Sequence, residues 1–183
     1  MSENTNRRVA SPGVPEDVGS ELREAIERIL RSESQRKLII AGPGTGKTSF
    51  FRTLLERTSG DQGSRLVLTF INNLKVDLDR SLSDLASVYT LHGYCQSLLH
   101  RYPDLRGGLT ERFRCLPGLA SLIKDDWAYL RGGDAPMFVD RMRDLDCGGE
   151  EAAFYFDRAN LYDAVDFDDS VYRTLTELRR NAA

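Results

Sequence analysis

Residues 41–48 read AGPGTGKT, and no other segment restricts the fold so tightly. The apolar run KLIIA at residues 37–41 leads into it and predicts a buried strand. Residues 47–58 leave it with Phe50, Phe51, Leu54 and Leu55 at helical spacing. A strand that enters a glycine-rich turn and opens a helix is the context in which this pattern becomes a site. Gly42, Gly44 and Gly46 allow several backbone N–H groups to face one concavity, because glycine takes the left-handed backbone without a Cβ clash. The helix that follows aims its positive end at the same point. A polyphosphate fits that field. The candidate nucleotide-binding residues are therefore Ala41, Gly42, Pro43, Gly44, Thr45, Gly46, Lys47, Thr48 and Ser49. Lys47 would reach the outer phosphates as a point charge. The Thr48 hydroxyl would be a ligand of Mg2+, a hard cation that keeps oxygen ligands and nucleotide phosphates. These two are the candidate catalytic residues. Ala41 replaces the first glycine of the strict pattern, where the turn is least tight.

The rest of the chain organises around this loop. Residues 1–18 carry few large apolar side chains and read as a flexible tail. Residues 20–31 place Leu22, Ala25, Ile26, Ile29 and Leu30 at spacings of three and four, an amphipathic helix with Ser20 as its N-cap. A second strand is expected at 65–70 (RLVLTF), a helix at 74–85, a short strand at 86–90 and a helix at 91–101. Strand, helix and strand with apolar strands make a parallel α/β sheet. From residue 104 onward helical segments are broken by glycine pairs and no strand is evident. The expected organisation is a nucleotide-binding lobe over 19–103 and a mainly helical inserted subdomain over 104–183. Twenty-eight acidic against 25 basic residues give a net charge of −3, which excludes a chain that grips nucleic acid through overall basicity. No apolar run approaches the roughly 18 residues of a membrane span, and the first residues lack a signal-peptide pattern. Cys95, Cys115 and Cys147 fit neither a disulfide framework nor a metal pattern. A cytoplasmic protein without membrane attachment is the expectation.

Two further segments narrow the reading. Residues 68–73 are LTFINN and residues 89–95 are YTLHGYC. With the phosphate loop before them, in this order and spacing, they resemble the UvrD/Rep family of superfamily 1 DNA helicases. Thr69, Phe70 and Asn72 match that family's second motif, and Thr90, His92, Gly93, Tyr94 and Cys95 its third. Residues 164–170 (AVDFDDS) resemble, more loosely, a segment the family carries ahead of its Walker B motif. The resemblance implies a P-loop NTPase of RecA-like fold with an inserted helical subdomain. It implies ATP with Mg2+ as ligands and single-stranded DNA as partner, contacted through Thr69, Phe70, Asn72, Thr90, His92 and Gly93. Threonine, asparagine and helix-start amides can hold phosphate oxygens without reading sequence. Phe70 ends an apolar strand, and burial tendency places it in the core rather than on a base. Cys95 lies on the apolar face of its helix and reads as buried. Leu22 stands where the family has a glutamine that reads the adenine edge, Ile71 replaces its second threonine, and Asn73, Leu74 and Lys75 replace a Lys-Ala-Ala run. Adenine selectivity is left open by the first of these departures.

Hydrolysis in such a motor needs an acidic pair after a buried strand and an arginine from a second motor lobe. No apolar run followed by Asp-Glu occurs here. Asp166, Asp168 and Asp169 read as a solvated helix start, with Asp169 or Ser170 near the cap. The expectation is the N-terminal part of an ATP-dependent helicase, natural or cut, that binds nucleotide but hydrolyses it poorly alone and works with the remaining helicase domains. The alternative is a stand-alone nucleotide-sensing switch without motor activity. A different ATPase class, such as an oligomeric ring protein, is disfavoured by the Thr-Leu-His-Gly run at residues 90–93.

Overall fold

The computed structural model describes residues 16–42, 44–58 and 60–181. Packing divides them into two units: residues up to Leu66 together with Asp77–Ser87, and Val67–Val76 together with the chain from Val88 onward.

In the first unit, α1 (Glu16–Arg31) begins before Ser20, so Ser20 lies within the helix rather than capping it. It also takes in residues 16–18 of the expected tail, whose residues 1–15 lie outside the described residues. Ile26 is buried at 2% exposure and α1 packs against α2 (Lys47–Arg57). Glu27 and Arg57 join the two helices at 2.5 Å. The second half of α3 (Asn72–Leu82) adds Leu78 and Leu82 to the buried set, followed by Ala86. Arg52 holds the turn after α3. It donates to the Ser81 carbonyl at 2.5 Å and forks onto the Asp84 carboxylate at 3.1 and 2.7 Å. These bonds keep the Asp84 carboxyl below its ordinary range.

The strand expected at residues 37–41 does not form. Among the described residues nothing pairs with it, and Leu38 and Ile40 are 88% and 89% exposed. An apolar run states a need for burial, but a strand also needs a neighbour for its N–H and C=O groups. The same limit shows in β1 (Leu66–Thr69), which pairs with β2 (Ser87–Thr90) in a sheet of two strands. Leu66 and Leu68, on one face, remain exposed. The chain thus mixes helices and strands, and its sheets among the described residues are two-stranded.

In the second unit, α4 (Leu91–Arg101) spans the helix expected there, and Tyr102 ends it. Beyond it come α5 (Leu119–Arg131), α6 (Phe138–Arg143), α7 (Gly149–Tyr162) and α8 (Phe167–Asn181). The absence of strands expected after residue 104 is corrected by one minimal pair. β3 (Arg114–Cys115) and β4 (Ala164–Val165) run parallel, Arg114 opposite Ala164 and Cys115 opposite Val165. Two residues are too few to leave a period in the sequence. This pair nonetheless sits at the centre of the packing. Adjacent strand residues face opposite sides. Ala164 joins Leu119, Ile123, Phe138, Met142, Tyr155 and Ala159, while Val165 joins Leu98, Leu99, Leu105, Leu109 and Phe113.

The start of α8 is not a solvated cap at Asp169 or Ser170. Both are 0% exposed. Asp166 takes the cap position instead and accepts the Phe167 N–H at 2.6 Å. Asp169 accepts from Arg173 Nε at 2.7 Å, one turn along α8. Its second oxygen and the Tyr155 hydroxyl are buried without a hydrogen-bond partner. Burial pushes the Asp169 carboxyl up to about 6, against the pull of Arg173. A carboxyl that binds its proton more tightly folded than unfolded stabilises the fold fully at acid pH and loses that contribution as the pH rises. From this group, resistance to urea should fall between about pH 4 and pH 6. Unfolding midpoints measured across that window should slope downward in the wild type, and Asp169→Asn should flatten the slope.

Candidate functional site

The glycine-rich loop lies in the first unit, and every described residue from Ala41 to Ser49 is exposed. Pro43 lies outside the described residues. Gly44 and Gly46 have φ of 71° and 73°. A Cβ at either would meet no atom within 4 Å, so the demand for glycine is one of backbone conformation rather than space. Gly46 is the residue before α2, and Phe50 N–H closes the first helical bond to the Gly46 carbonyl at 2.9 Å. Phe50 is itself buried and anchors this turn. No side chain caps α2 and no acidic residue occupies its first turn, so its positive end is not neutralised from within the helix. Thr45 Oγ1 donates to the Gly42 carbonyl at 2.8 Å. The Lys47 ammonium bends to the same carbonyl at 2.5 Å and reaches Ala41 O at 3.5 Å. Lys47 therefore folds back onto the loop's own carbonyls, and Thr48 and Ser49 follow on the first turn of α2.

The second and third sequence motifs lie in the second unit, on strands that pair with one another. Thr69 ends β1 and is 7% exposed; its hydroxyl accepts the Ile71 N–H at 3.3 Å. Phe70 is not in the core. It is 79% exposed, with Ile71 at 59% beside it, because β1 ends at Thr69 and the chain turns outward before α3 begins at Asn72. Thr90 ends β2 and caps α4, accepting the Gly93 N–H at 3.1 Å. A Cβ on Gly93 would stand 2.9 Å from that hydroxyl, so glycine keeps the cap bond open. His92 is half-buried, with its ring 5.1 Å from Phe167. Tyr94 packs against the cluster around Leu98 and 5.7 Å from Tyr89, and Cys95 is buried as expected. Burial pushes the Cys95 thiol up, away from reactivity.

The acidic pair at 125–126 is structural on one side: Asp126 accepts from Arg158 at 2.7 Å and from the Tyr162 hydroxyl at 2.6 Å. Burial opposes these bonds, which nevertheless hold its carboxyl below the ordinary range. Asp168 binds Arg143 in a fork at 2.9 and 3.0 Å. Sequence reading missed Arg143 and Arg173 altogether. Only the spacing of Asp169 and Arg173, one helical turn apart, could have flagged the second.

A family model for the UvrD/REP helicase N-terminal domain matches residues 22–125, more than half of the chain. The chain belongs to the UvrD/REP helicase N-terminal domain family. The match takes in the phosphate loop, both paired strands and α4, and leaves residues 164–170 outside it. No curated protein and no solved structure matches the chain. Among the described residues no helix is long and apolar enough to cross a membrane.

In this UvrD/REP-type domain the cap at Thr90 fixes where α4 begins. Thr90→Ala should cost about 0.5–2 kcal/mol of stability, and Thr90→Ser far less. Urea unfolding of the two variants checks this.

Proposed function

We propose that this chain is the ATP-binding, N-terminal portion of a UvrD-type DNA helicase, coupling nucleotide to movement along a single strand in the full protein. The observation that carries the proposal is the loop itself: left-handed Gly44 and Gly46 at the uncapped start of α2, with the Lys47 ammonium resting on the Gly42 carbonyl of the same loop. These residues fit Mg2+ and a triphosphate. The backbone amides from Gly44 to Thr48 would take phosphate oxygens, Lys47 would exchange its loop carbonyls for the outer phosphates, and the Thr48 hydroxyl would hold the metal. Mg2+ held there would supply charge neutralisation to the phosphates. Residues 19–103 form the RecA-like lobe in this reading and residues 104–183 its helical insertion.

The DNA side falls to Thr69, Phe70, Asn72, Thr90, His92 and Gly93. The exposed Phe70 ring is a stacking platform for one base, and the helix starts at Asn72 and Leu91 hold phosphates. Such contacts need no basic face, which agrees with the net charge of −3. Remaining helicase domains supply the water-activating acid and the arginine. Alone, the chain holds ATP without rapid turnover.

Calorimetric titration with Mg-ATP should show one site, with the nucleotide recovered intact. Lys47→Ala should weaken it by about 1.5–3 kcal/mol, the range for a hydrogen bond to a charged group. Phe70→Ala should weaken binding of a labelled single-stranded oligonucleotide by about 1–3 kcal/mol without lowering the melting temperature, since the ring is not in the core. Fluorescence anisotropy and thermal melting on the same sample read both.

A further inference from the structure

A cavity of about 260 Å3 opens within the second unit beside His92. Met142 of α6, with Val171 and Leu175 of α8, gives it an apolar lining, and His92, Arg143 and Asp168 give it a polar edge. Pockets that engulf drug-sized ligands run to roughly 300–1,000 Å3. This one has room for a single ring system and not for a nucleoside triphosphate. Its edge is ordered. The Arg143–Asp168 fork holds both side chains, and Arg143 remains 61% exposed. Asp168 is an acceptor with lone pairs beyond the two used by Arg143. The His92 ring packs on the partly exposed Phe167, which puts an aromatic pair next to the same opening.

We propose that this cavity takes one unstacked base of a DNA single strand whose backbone passes the start of α4. The proposal rests on the DNA-side reading of Thr90 and His92 given above, and adds to it a place for a base. Apolar walls receive the faces of a heterocycle. Asp168 accepts a hydrogen bond from an exocyclic amino group, as acidic side chains do from cytosine N4. Arg143 stands where it can meet the adjoining phosphate. The cavity therefore prefers a base with an amino group to thymine. Stacking on Phe70 makes no such distinction, because every base has a π-face.

The test compares oligo-dC with oligo-dT of equal length by fluorescence anisotropy at one salt concentration. The wild-type chain should bind oligo-dC more tightly by roughly fivefold or more, the scale of one amino-group contact. Val171→Phe, which fills the cavity from α8, should erase that preference while leaving oligo-dT binding in place. Near-ultraviolet circular dichroism shows whether the variant keeps its packing. Should it fail to fold, Asp168→Ala, which removes the acceptor at the cavity edge, replaces it and should likewise erase the preference. Equal binding of both oligonucleotides by the wild type overturns the cavity proposal and leaves the DNA-side reading standing. So does a preference that survives the substitutions. A wild type that binds neither strand overturns both.

Discussion

Arg173 organises the second unit. It is buried on α8 and its guanidinium meets four partners: Nε on Asp169 at 2.7 Å, Nη1 on the Arg106 carbonyl at 2.6 Å, Nη2 on Asn160 Oδ1 at 3.4 Å, and its face 4.7 Å from the Phe156 ring. Asn160 of α7 completes the joint by donating to the Gly107 carbonyl at 3.0 Å. Gly108, at φ 110°, allows this approach; a Cβ there would come within 2.6 Å of the Asn160 amide. A buried ion pair is a poor source of net stability, because desolvation offsets its attraction. Its effect here is positional. One side chain fixes α8 against α7 and against the turn that follows α4, and α8 in turn packs along α4.

That placement brings the first turns of α4 and α8 together. Leu91 and His92 open α4, Phe167 and Asp168 open α8, and the His92 and Phe167 rings touch. The parallel pair β3–β4 feeds α8 from behind, with Ala164 and Val165 committed to opposite cores. Thr90 and His92 thus stand on a helix that α8 packs along, at the strand end and helix start that join β2 to α4.

Much of this was legible in the sequence. The glycine-rich turn before α2, the helices α2, α3 and α4, and the strands β1 and β2 follow from glycine placement and apolar spacing. Thr90 and Gly93 were singled out as motif residues, and the structure adds that they form a helix cap. The misreadings have physical causes. Residues 37–41 are apolar enough for a core strand but have no neighbour to pair with among the described residues, so Leu38 and Ile40 meet solvent. Phe70 was assigned to the core by its apolar surroundings, yet the strand ends one residue earlier and the ring turns outward. Asp169 reads as solvated because carboxylates usually are; the i,i+4 spacing to Arg173 offers it a partner, but that both are buried follows only from the fold. Arg143 pairs with Asp168 across 25 residues of sequence and leaves no periodic trace.

If the loop at the start of α2 of this UvrD/REP-type domain holds a triphosphate, Mg-ATP will slow hydrogen–deuterium exchange there. Protection should concentrate on the amides of Gly44 to Ser49, at the left-handed glycines and the start of α2, which no side chain caps. Unchanged exchange in that segment at saturating nucleotide, or protection confined to other parts of the chain, would contradict a triphosphate site there.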